Sequence, residues 1–275
     1  MSEPLVLCYH AVSQDWPAPL SVTPEALEGQ LRLLLRRGYR GATLADVALG
    51  RATGKVLAVT FDDAFRSVLT LGRPILQRLG LVGSVYAPTD FIGASGPMTW
   101  PGIDRWLETP HRNELKPLSW SELGELAEAG WEVGSHTRSH PRLTTLNDSA
   151  LAEQLTASKA ACERALGRPC ATLAYPYGDY DDRVVAAARA AGYNAATTLP
   201  ERLHASAPLT WPRIGVYHAD TELRFRLKVA VPLRRLRRTG AWSAVGRVRR
   251  RGALRHIVAN RSDDSGESQR YPNRL

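Results

Sequence analysis

The sequence predicts an α/β fold in which about seven parallel strands form a closed or nearly closed barrel. Short apolar runs typical of buried strands alternate with amphipathic helix patterns, and most of these helices end at a glycine. This alternation indicates βα units and a parallel sheet, and a count near seven favours a barrel. The polar motifs follow the strands, at the end of a barrel where functional sites lie. A chain of 275 residues is ordinary for such a barrel.

Apolar periodicity and helix-ending signals define the individual elements. Thr23 and Pro24 provide an N-cap and a first helical position, and Gly38 ends the first helix. Pro74 either kinks the third helix or starts a second piece of it. The predicted strands are 4–9, 55–59, 82–86, 131–135, 171–175, 194–197 and 211–216. The predicted helices are 24–37, 44–49, 69–79, 119–129, 148–166 and 181–191.

An irregular stretch, residues 88–117, separates the third strand from the fourth helix. It is rich in glycine and proline and shows neither helical nor strand periodicity. Because loops of this length are usually functional or mobile, we expect it to be a substrate lid.

Composition and the start of the chain indicate a globular, cytoplasmic protein. The chain is 44% hydrophobic and 23% charged, and no apolar run approaches the roughly 20 residues that span a bilayer. The first residues lack the basic region and the long apolar region of a signal peptide, so a cytoplasmic location is expected. Cys8, Cys162 and Cys170 lie in apolar settings, and an odd number favours reduced thiols over disulfides.

The net charge of +9 comes from one segment. Residues 224–256 contain twelve of the 36 Lys and Arg residues and no acidic residue, which leaves 24 basic residues against 27 acidic ones elsewhere. Such a run favours contact with an anionic membrane surface, nucleic acid or an acidic glycan, or else a solvated basic helix pair covering the barrel. Its only aromatic residues are Phe225 and Trp242, so specific nucleic-acid binding by stacking is not expected. Membrane contact would place the protein at the inner membrane face.

These features divide the chain into three parts. The tail after the basic segment has no periodicity, which predicts disorder. The predicted parts are a barrel at 1–220, a basic helical segment at 221–259 and a disordered tail at 260–275.

Two polar motifs at strand ends provide the residue types of a hydrolytic metal site. The second predicted strand leads to Asp62 and Asp63, and the fourth leads to His136 and His140. Two imidazoles and one carboxylate form the ligand set of catalytic zinc, iron or cobalt sites, while a second carboxylate can accept a proton. Taken separately, the motifs are also compatible with an acidic helix N-terminus and with surface histidines.

The histidine pair does not match the helical motif of zinc metalloproteases. Thr137 stands where such a protease has its glutamate base. Pro141 disfavours helical backbone at His140, so the pair is expected on a loop at a strand end.

Five motifs follow one another along the chain. They are Thr-Phe-Asp-Asp at 60–63, Ser-Trp-Ser-Glu-Leu at 119–123, His-Thr-Arg-Ser-His at 136–140, Ala-Tyr-Pro-Tyr-Gly-Asp-Tyr-Asp at 174–181 and Trp-Pro-Arg-Ile at 211–214. Together they resemble the polysaccharide deacetylase family, also called the NodB-homology or carbohydrate esterase family four domain, over roughly residues 4–217. The resemblance implies an irregular (β/α) barrel and a metal-dependent hydrolase that removes N-acetyl groups from an amino-sugar glycan or glycolipid precursor.

The resemblance also implies roles for single residues. Asp63, His136 and His140 would hold a divalent metal, with zinc as the first choice and cobalt, iron or nickel as alternatives. Asp62 would be the general base. Tyr177 matches the family position whose backbone N–H stabilises the developing oxyanion, although a Pro-Tyr-Gly turn equally suits aromatic packing.

Two positions depart from the family pattern. Many members have an arginine at the position of Ala174, where it orients the base, and Arg213 is the candidate to replace it. Most members take the general acid from a Leu-x-His motif near the domain end, where this chain has only His218, beyond the last strand. His10 ends the first strand, as in the circularly permuted poly-N-acetylglucosamine deacetylase subgroup, and the first and last strands of a barrel are neighbours. His10, with a near-neutral pKa, is therefore the expected acid, and a backbone-bonded histidine at the barrel mouth is the alternative.

Three alternative functions stay open. A hydrolase of a small linear or cyclic non-sugar amide would have a short, closed site rather than a groove. A catalytically inactive barrel could serve as a glycan or membrane adaptor, which the intact set of aspartates and histidines disfavours. Nucleic-acid binding through the basic segment would show a steep salt dependence.

Overall fold

Parallel strands form a nearly closed barrel in the computed structural model, which describes residues 4–200 and 203–239. The strands are β1 (Leu5–Tyr9), β2 (Ala11–Val12), β3 (Ser21–Val22), β4 (Arg40–Ala42), β5 (Val56–Phe61), β6 (Gly83–Ala87), β7 (Glu132–Ser135), β8 (Thr172–Ala174), β9 (Ala195–Thr198), β10 (Trp211–Pro212) and β11 (Ile214–Gly215). The helices are α1 (Pro24–Arg36), α2 (Leu44–Ala48), α3 (Arg73–Arg78), α4 (Trp120–Glu128), α5 (Asp148–Leu166), α6 (Asp182–Ala190), α7 (Glu222–Val229) and α8 (Val231–Arg237). The predicted α/β barrel is confirmed.

The barrel closes through the segment predicted as a single last strand. The strand order is β10-β9-β8-β7-β6-β5-β1-β11, and β4 pairs with β5 at the side. β10 and β11 are the two halves of the last segment, separated by Arg213. β10 pairs in parallel with β9, and β11 pairs in parallel with β1. Eight strand segments therefore account for the seven strands predicted in the barrel.

Local sequence signals explain why these elements form. β1 and β5 are apolar and buried along their whole length, as expected for strands covered on both faces. The side chain of Thr23 accepts a hydrogen bond from the N–H of Ala26 and so caps α1. α5 ends at Gly167, whose φ of 63° favours glycine. The helix predicted at 69–79 consists of a π-helical turn at Val68–Gly72 followed by α3. Pro74 lies in the first turn of α3 and therefore starts the second piece.

The insertion at 88–117 is packed against the barrel. It contains two short 3₁₀ turns and buries Met98, Ile103 and Leu115 in the main core cluster. Trp100 contributes to the wall of a cavity at the C-terminal ends of the strands. The insertion is therefore part of the cavity wall, and the predicted substrate lid stays a prediction.

The basic segment begins with α7 and α8, which follow the last strand. Phe225 and Val229 of α7 are buried in the main core cluster. No helix in the described ranges is long and apolar enough to cross a membrane. The rest of the predicted basic segment, from 240 to 259, and the predicted disordered tail, 260–275, lie outside the described residues.

Glu132 occupies the N-terminal end of β7, where three neighbouring groups hydrogen-bond to its half-buried carboxylate. Its carboxylate accepts hydrogen bonds from the Ala45 N–H and the Ser84 hydroxyl, each at 2.8 Å, and from the Thr172 hydroxyl. Burial raises the pKa of this carboxyl, and the three hydrogen bonds offset only part of the rise. The folded chain therefore keeps a proton on Glu132 at a pH where the unfolded chain releases it.

Replacing Glu132 with glutamine is expected to make the protein more stable relative to the parent as pH rises above about 4.3, the ordinary pKa of a glutamic acid. The parent loses stability as pH rises from the pKa of Glu132 in the unfolded chain to its higher pKa in the folded chain. In this range the unfolded chain releases the Glu132 proton, whereas the folded chain retains it. Each unit by which the pKa is raised corresponds to about 1.4 kcal/mol, or roughly 3–6 °C in Tm for a domain of this size. Thermal unfolding of both proteins over this range measures the effect. A Tm difference that does not change with pH would contradict it.

Candidate active site

A single cavity at the C-terminal ends of the strands contains every residue that the sequence suggests as a ligand or catalytic group. The volume of this cavity is about 440 Å³. These residues are His10 after β1, Asp62 and Asp63 after β5, His136 and His140 after β7, Tyr177 after β8, and Arg213 between β10 and β11. The fold therefore brings together seven residues from five separate parts of the chain.

Asp63, His136 and His140 converge on one point of this cavity. The Nε2 atoms of both histidines lie 3.3 Å from Oδ1 of Asp63. Ligand atoms about 2.0–2.2 Å from a tetrahedral zinc ion are roughly 3.3–3.6 Å apart, so the spacing fits a metal. Oδ1 of Asp63 is buried and has no hydrogen-bond partner in the described part of the chain. Because such an oxygen is costly unless a cation or a donor satisfies it, these residues fit a divalent metal.

Hydrogen bonding orients His136 and burial keeps His140 neutral, and both features suit metal ligation. The carboxylates of Asp62 and Asp63 outweigh burial and raise the pKa of His136, whose Nε2 proton a bound metal would replace. Nδ1 of His136 lies 2.7 Å from the carbonyl oxygen of Ala174. Donation of the Nδ1 proton to this carbonyl leaves Nε2 facing Asp63, an arrangement that metal-ligating histidines commonly show. Burial lowers the pKa of His140 to about 3, so its ring is neutral at physiological pH. Ala174 thus contributes through its backbone, although it lacks the arginine side chain of many family members.

The loops around the cavity hold backbone conformations that L-residues rarely adopt. Five non-glycine residues in the described ranges have a positive φ, between 51° and 69°. They are Asp63, Ala64, Thr137, His140 and Tyr177. Each such conformation costs on the order of 1–3 kcal/mol and persists only where the surrounding structure imposes it. The barrel therefore imposes the geometry of the loops that carry Asp63 and the two histidines.

Asp62 is held in a buried ion pair. Nη1 and Nη2 of Arg213 lie 2.6 and 2.7 Å from Oδ1 and Oδ2 of Asp62, and neither side chain has significant exposed surface. Nη1 also donates to the Thr60 hydroxyl at 2.9 Å, and the Cys8 thiol donates to Oδ2 of Asp62 at 3.4 Å. Burial raises the pKa of Asp62, but the charge and hydrogen bonds of Arg213, together with His136 and His10, outweigh burial and hold this pKa well below its usual range. Asp62 is therefore ionised, and Arg213 sets the orientation of its carboxylate.

His10 lies in the same cavity, close to Asp62. A ring nitrogen of His10, the Cys8 sulfur and a carboxylate oxygen of Asp62 are all within 4.8 Å of one another. Burial lowers the pKa of His10, and the carboxylates of Asp63 and Asp62 oppose part of this shift. The structure thus gives His10 a pKa below the near-neutral value expected from the sequence, which makes its protonated ring a stronger acid but a less populated one. His218 is exposed and does not line the cavity.

Aromatic side chains surround the ring of His140. Trp100 stacks on it with the ring centroids 4.3 Å apart, and Tyr177 packs edge-on at 4.6 Å. The guanidinium of Arg142 lies 4.5 Å from the centroid of the Tyr177 ring. Burial raises the pKa of Tyr177 to about 12, so its hydroxyl stays protonated. The side chain of Tyr177 therefore packs against the candidate ligand His140. This packing is compatible with an oxyanion contact by the Tyr177 backbone N–H.

Comparison with known protein families identifies the class of this site. A family model described as polysaccharide deacetylase matches residues 50–196, which is more than half of the chain. The chain belongs to the polysaccharide deacetylase family. The matched region includes the aspartate pair, the histidine pair and the loop that carries Tyr177.

Individual relatives of this deacetylase-family chain are distant. The Bacillus subtilis protein YxkH is 22% identical over 198 residues, which are 70% of this chain and 63% of that protein. The poly-beta-1,6-N-acetyl-D-glucosamine N-deacetylase of Escherichia coli K12 is 26% identical over 134 residues, which are 43% of this chain and 18% of that enzyme. The chain thus spans less than two thirds of either relative. A polysaccharide deacetylase from Bacillus cereus superimposes with a TM-score of 0.66 at 25% identity, covering 83% of this chain and 69% of the other.

Several residues of the cavity wall in this deacetylase-family chain have no signal in the sequence, among them one in the insertion and two in the basic helices. Trp100 lies in the insertion, where no periodicity or motif marks it. Lys228 of α7 and Arg237 of α8 also line the cavity. In the sequence, the segment of Lys228 and Arg237 is marked only by its density of basic residues. This density does not predict that the segment lies beside the site.

Proposed function

We propose that this chain is a metal-dependent N-deacetylase that removes acetyl groups from an N-acetylated amino-sugar glycan or glycolipid. The observation that carries the proposal is the meeting of Asp63, His136 and His140 in one cavity, with the ionised Asp62 beside them. A set of metal ligands next to an ionised carboxylate is what amide hydrolysis by water requires. Membership of the polysaccharide deacetylase family supports the same class of reaction.

Asp63, His136 and His140 would hold the metal. Their mixed nitrogen and oxygen donors suit zinc, with cobalt, iron or nickel as alternatives. When bound, the metal would polarise the acetyl oxygen and lower the pKa of the attacking water towards about 7. The neutral ring of His140 and the oriented ring of His136 need no rearrangement to act as ligands.

The other residues of the cavity would move the protons. Asp62 would accept a proton from the attacking water, because it is ionised and Arg213 holds both of its oxygens. As water adds to the acetyl carbon, negative charge develops on the acetyl oxygen, where the backbone N–H of Tyr177 would stabilise it. His10 would then donate a proton to the amine nitrogen as the carbon–nitrogen bond breaks. The products are acetate and a free amino sugar.

The cavity suits a short portion of a glycan. Cavities of roughly 300–1,000 Å³ hold drug-sized ligands, and this one has about 440 Å³. Trp100 and Tyr177 provide aromatic surface beside the candidate ligands. The name of the Escherichia coli relative, a poly-beta-1,6-N-acetyl-D-glucosamine N-deacetylase, supports an N-acetylated glycan as the substrate class.

Acetate release tests this substrate class. The purified protein, supplied with zinc or cobalt, is incubated with N-acetylglucosamine oligomers and in parallel with small non-sugar N-acetyl amides. We expect acetate from the oligomers. If acetate is released only from the small amides, the substrate is a small amide and not a glycan. If the protein neither binds metal nor releases acetate, the inactive adaptor is favoured.

A further inference from the structure

Exposed apolar side chains are concentrated on α7 and α8. Five large hydrophobic residues in the described ranges are exposed, and four of them belong to these two helices. They are Leu223 at 67% exposure, Leu227 at 49%, Val231 at 42% and Leu236 at 39%. Because soluble surfaces rarely group large apolar side chains in this way, the cluster indicates a binding surface.

The arrangement on α7 is that of an interfacial helix. Phe225 and Val229 are buried against the barrel, whereas Leu223 and Leu227, also four residues apart, share the outer face. At 100° per residue, Arg224 and Arg226 flank this outer pair on either side. An apolar centre with basic edges lets the leucines enter a membrane interface while the arginine head groups stay among the lipid phosphates.

The charge of the helix pair favours an anionic partner. Residues 222–239 contain seven Lys and Arg residues and one acidic residue, Glu222, which pairs with Arg226 at 2.6 Å. Arg224 lies 4.0 Å from Asp220. The chain beyond 239 adds five more basic residues before 257. A nucleic acid would also attract this charge, but its phosphates give no reason for four exposed aliphatic side chains.

We propose that α7 and α8 form a docking surface for an anionic lipid bilayer, with Leu223 and Leu227 entering the interface and Arg224 and Arg226 contacting lipid head groups. The helices of 8 and 7 residues lie on the membrane rather than cross it. The same two helices provide Lys228 and Arg237 to the cavity wall. Docking would therefore bring the cavity close to lipid-linked glycans, a consequence that rests on the proposed function, whereas the docking itself does not.

Vesicle co-sedimentation of the full chain tests this surface without any substrate. The vesicles are phosphatidylcholine alone or phosphatidylcholine with about 30% phosphatidylglycerol, at about 0.1 M and about 0.5 M NaCl. The test variant is Leu223→Ser with Leu227→Ser, which leaves every charge in place. The matched control is Leu71→Ser, an exposed leucine outside both helices. Thermal unfolding checks that each variant is folded, and Leu223→Ser alone replaces the double variant if that one is destabilised.

The parent and Leu71→Ser are expected to bind the anionic vesicles at low salt and to bind phosphatidylcholine at least about tenfold more weakly. The double variant is expected to lose about tenfold or more in affinity, because two leucine side chains no longer enter the interface. A parent that does not bind anionic vesicles would overturn the proposal. So would a double variant that binds like the parent, since the charged chain beyond 239 would then account for binding.

Discussion

Replacing Arg213 with methionine is expected to lower the free energy of unfolding by about 3–5 kcal/mol and to abolish acetate release. The reason for the loss of stability is that Asp62 would stay buried with its negative charge unpaired, since Arg213 is the cation that contacts both carboxylate oxygens. The loss of activity follows because the proposed base would lose the two hydrogen bonds that set the orientation of its carboxylate. Denaturant unfolding in the presence of a chelator measures stability, and acetate assays measure activity.

Two further variants separate the effect on stability from the effect on catalysis. Removing both charges, as in Asp62→Leu with Arg213→Met, is expected to recover much of the lost stability while leaving the protein inactive. Arg51→Met, which breaks an exposed pair with Asp46, is the matched control and should change stability by about 1 kcal/mol at most. If Arg213→Met were as stable as the control, the ion pair would not have the structural role that its geometry indicates.

Replacing His10 with alanine is expected to reduce turnover by about 10²–10⁴-fold while leaving metal content unchanged. The reduction follows from the loss of the group proposed to protonate the leaving amine. Metal content should be preserved because His10 is not one of the three proposed ligands, which are Asp63 and the two histidines next to its Oδ1 atom. Steady-state acetate release and elemental analysis of the purified variant provide the two measurements.

His218→Ala is the natural comparison for His10. This histidine is also near the end of the barrel, but its side chain is exposed and lies outside the cavity. Turnover of His218→Ala should therefore equal that of the parent. Equal turnover in His10→Ala and the parent would remove His10 from the mechanism, whereas a large loss in His218→Ala would point to an acid that the geometry does not place at the site.

Much of the barrel is predictable because its elements have strong local signals. The helix predicted at 148–166 matches α5, since nineteen residues with an Asn147 cap and a Gly167 terminus leave little ambiguity. The strands β2, β3 and β4 are absent from the prediction, because two or three residues show no measurable alternation. The interruption of the last strand at Arg213 depends on an ion pair with a residue 151 positions earlier, which no local pattern contains.

In the candidate site too, residues in local motifs are predictable, and features that depend on long-range contacts are not. Asp62, Asp63 and the two histidines could be found from the sequence because they stand in motifs directly after strands, where a parallel barrel gathers its loops. The stacking of Trp100 on His140 could not be found, because it depends on how the insertion folds back over the cavity. The basic helices were visible only as charge, and their exposed leucines acquire meaning once Phe225 and Val229 are seen to be buried.

The metal content of the parent and of His136→Ala, measured together with acetate release from N-acetylglucosamine oligomers, tests the central claim most directly. His111→Ala, a histidine outside the cavity, is the control. We predict close to one bound divalent metal per chain and acetate release for the parent and the control, and loss of both in His136→Ala. Full metal content and unchanged acetate release in His136→Ala would contradict the assignment of Asp63, His136 and His140 as the metal site of this deacetylase.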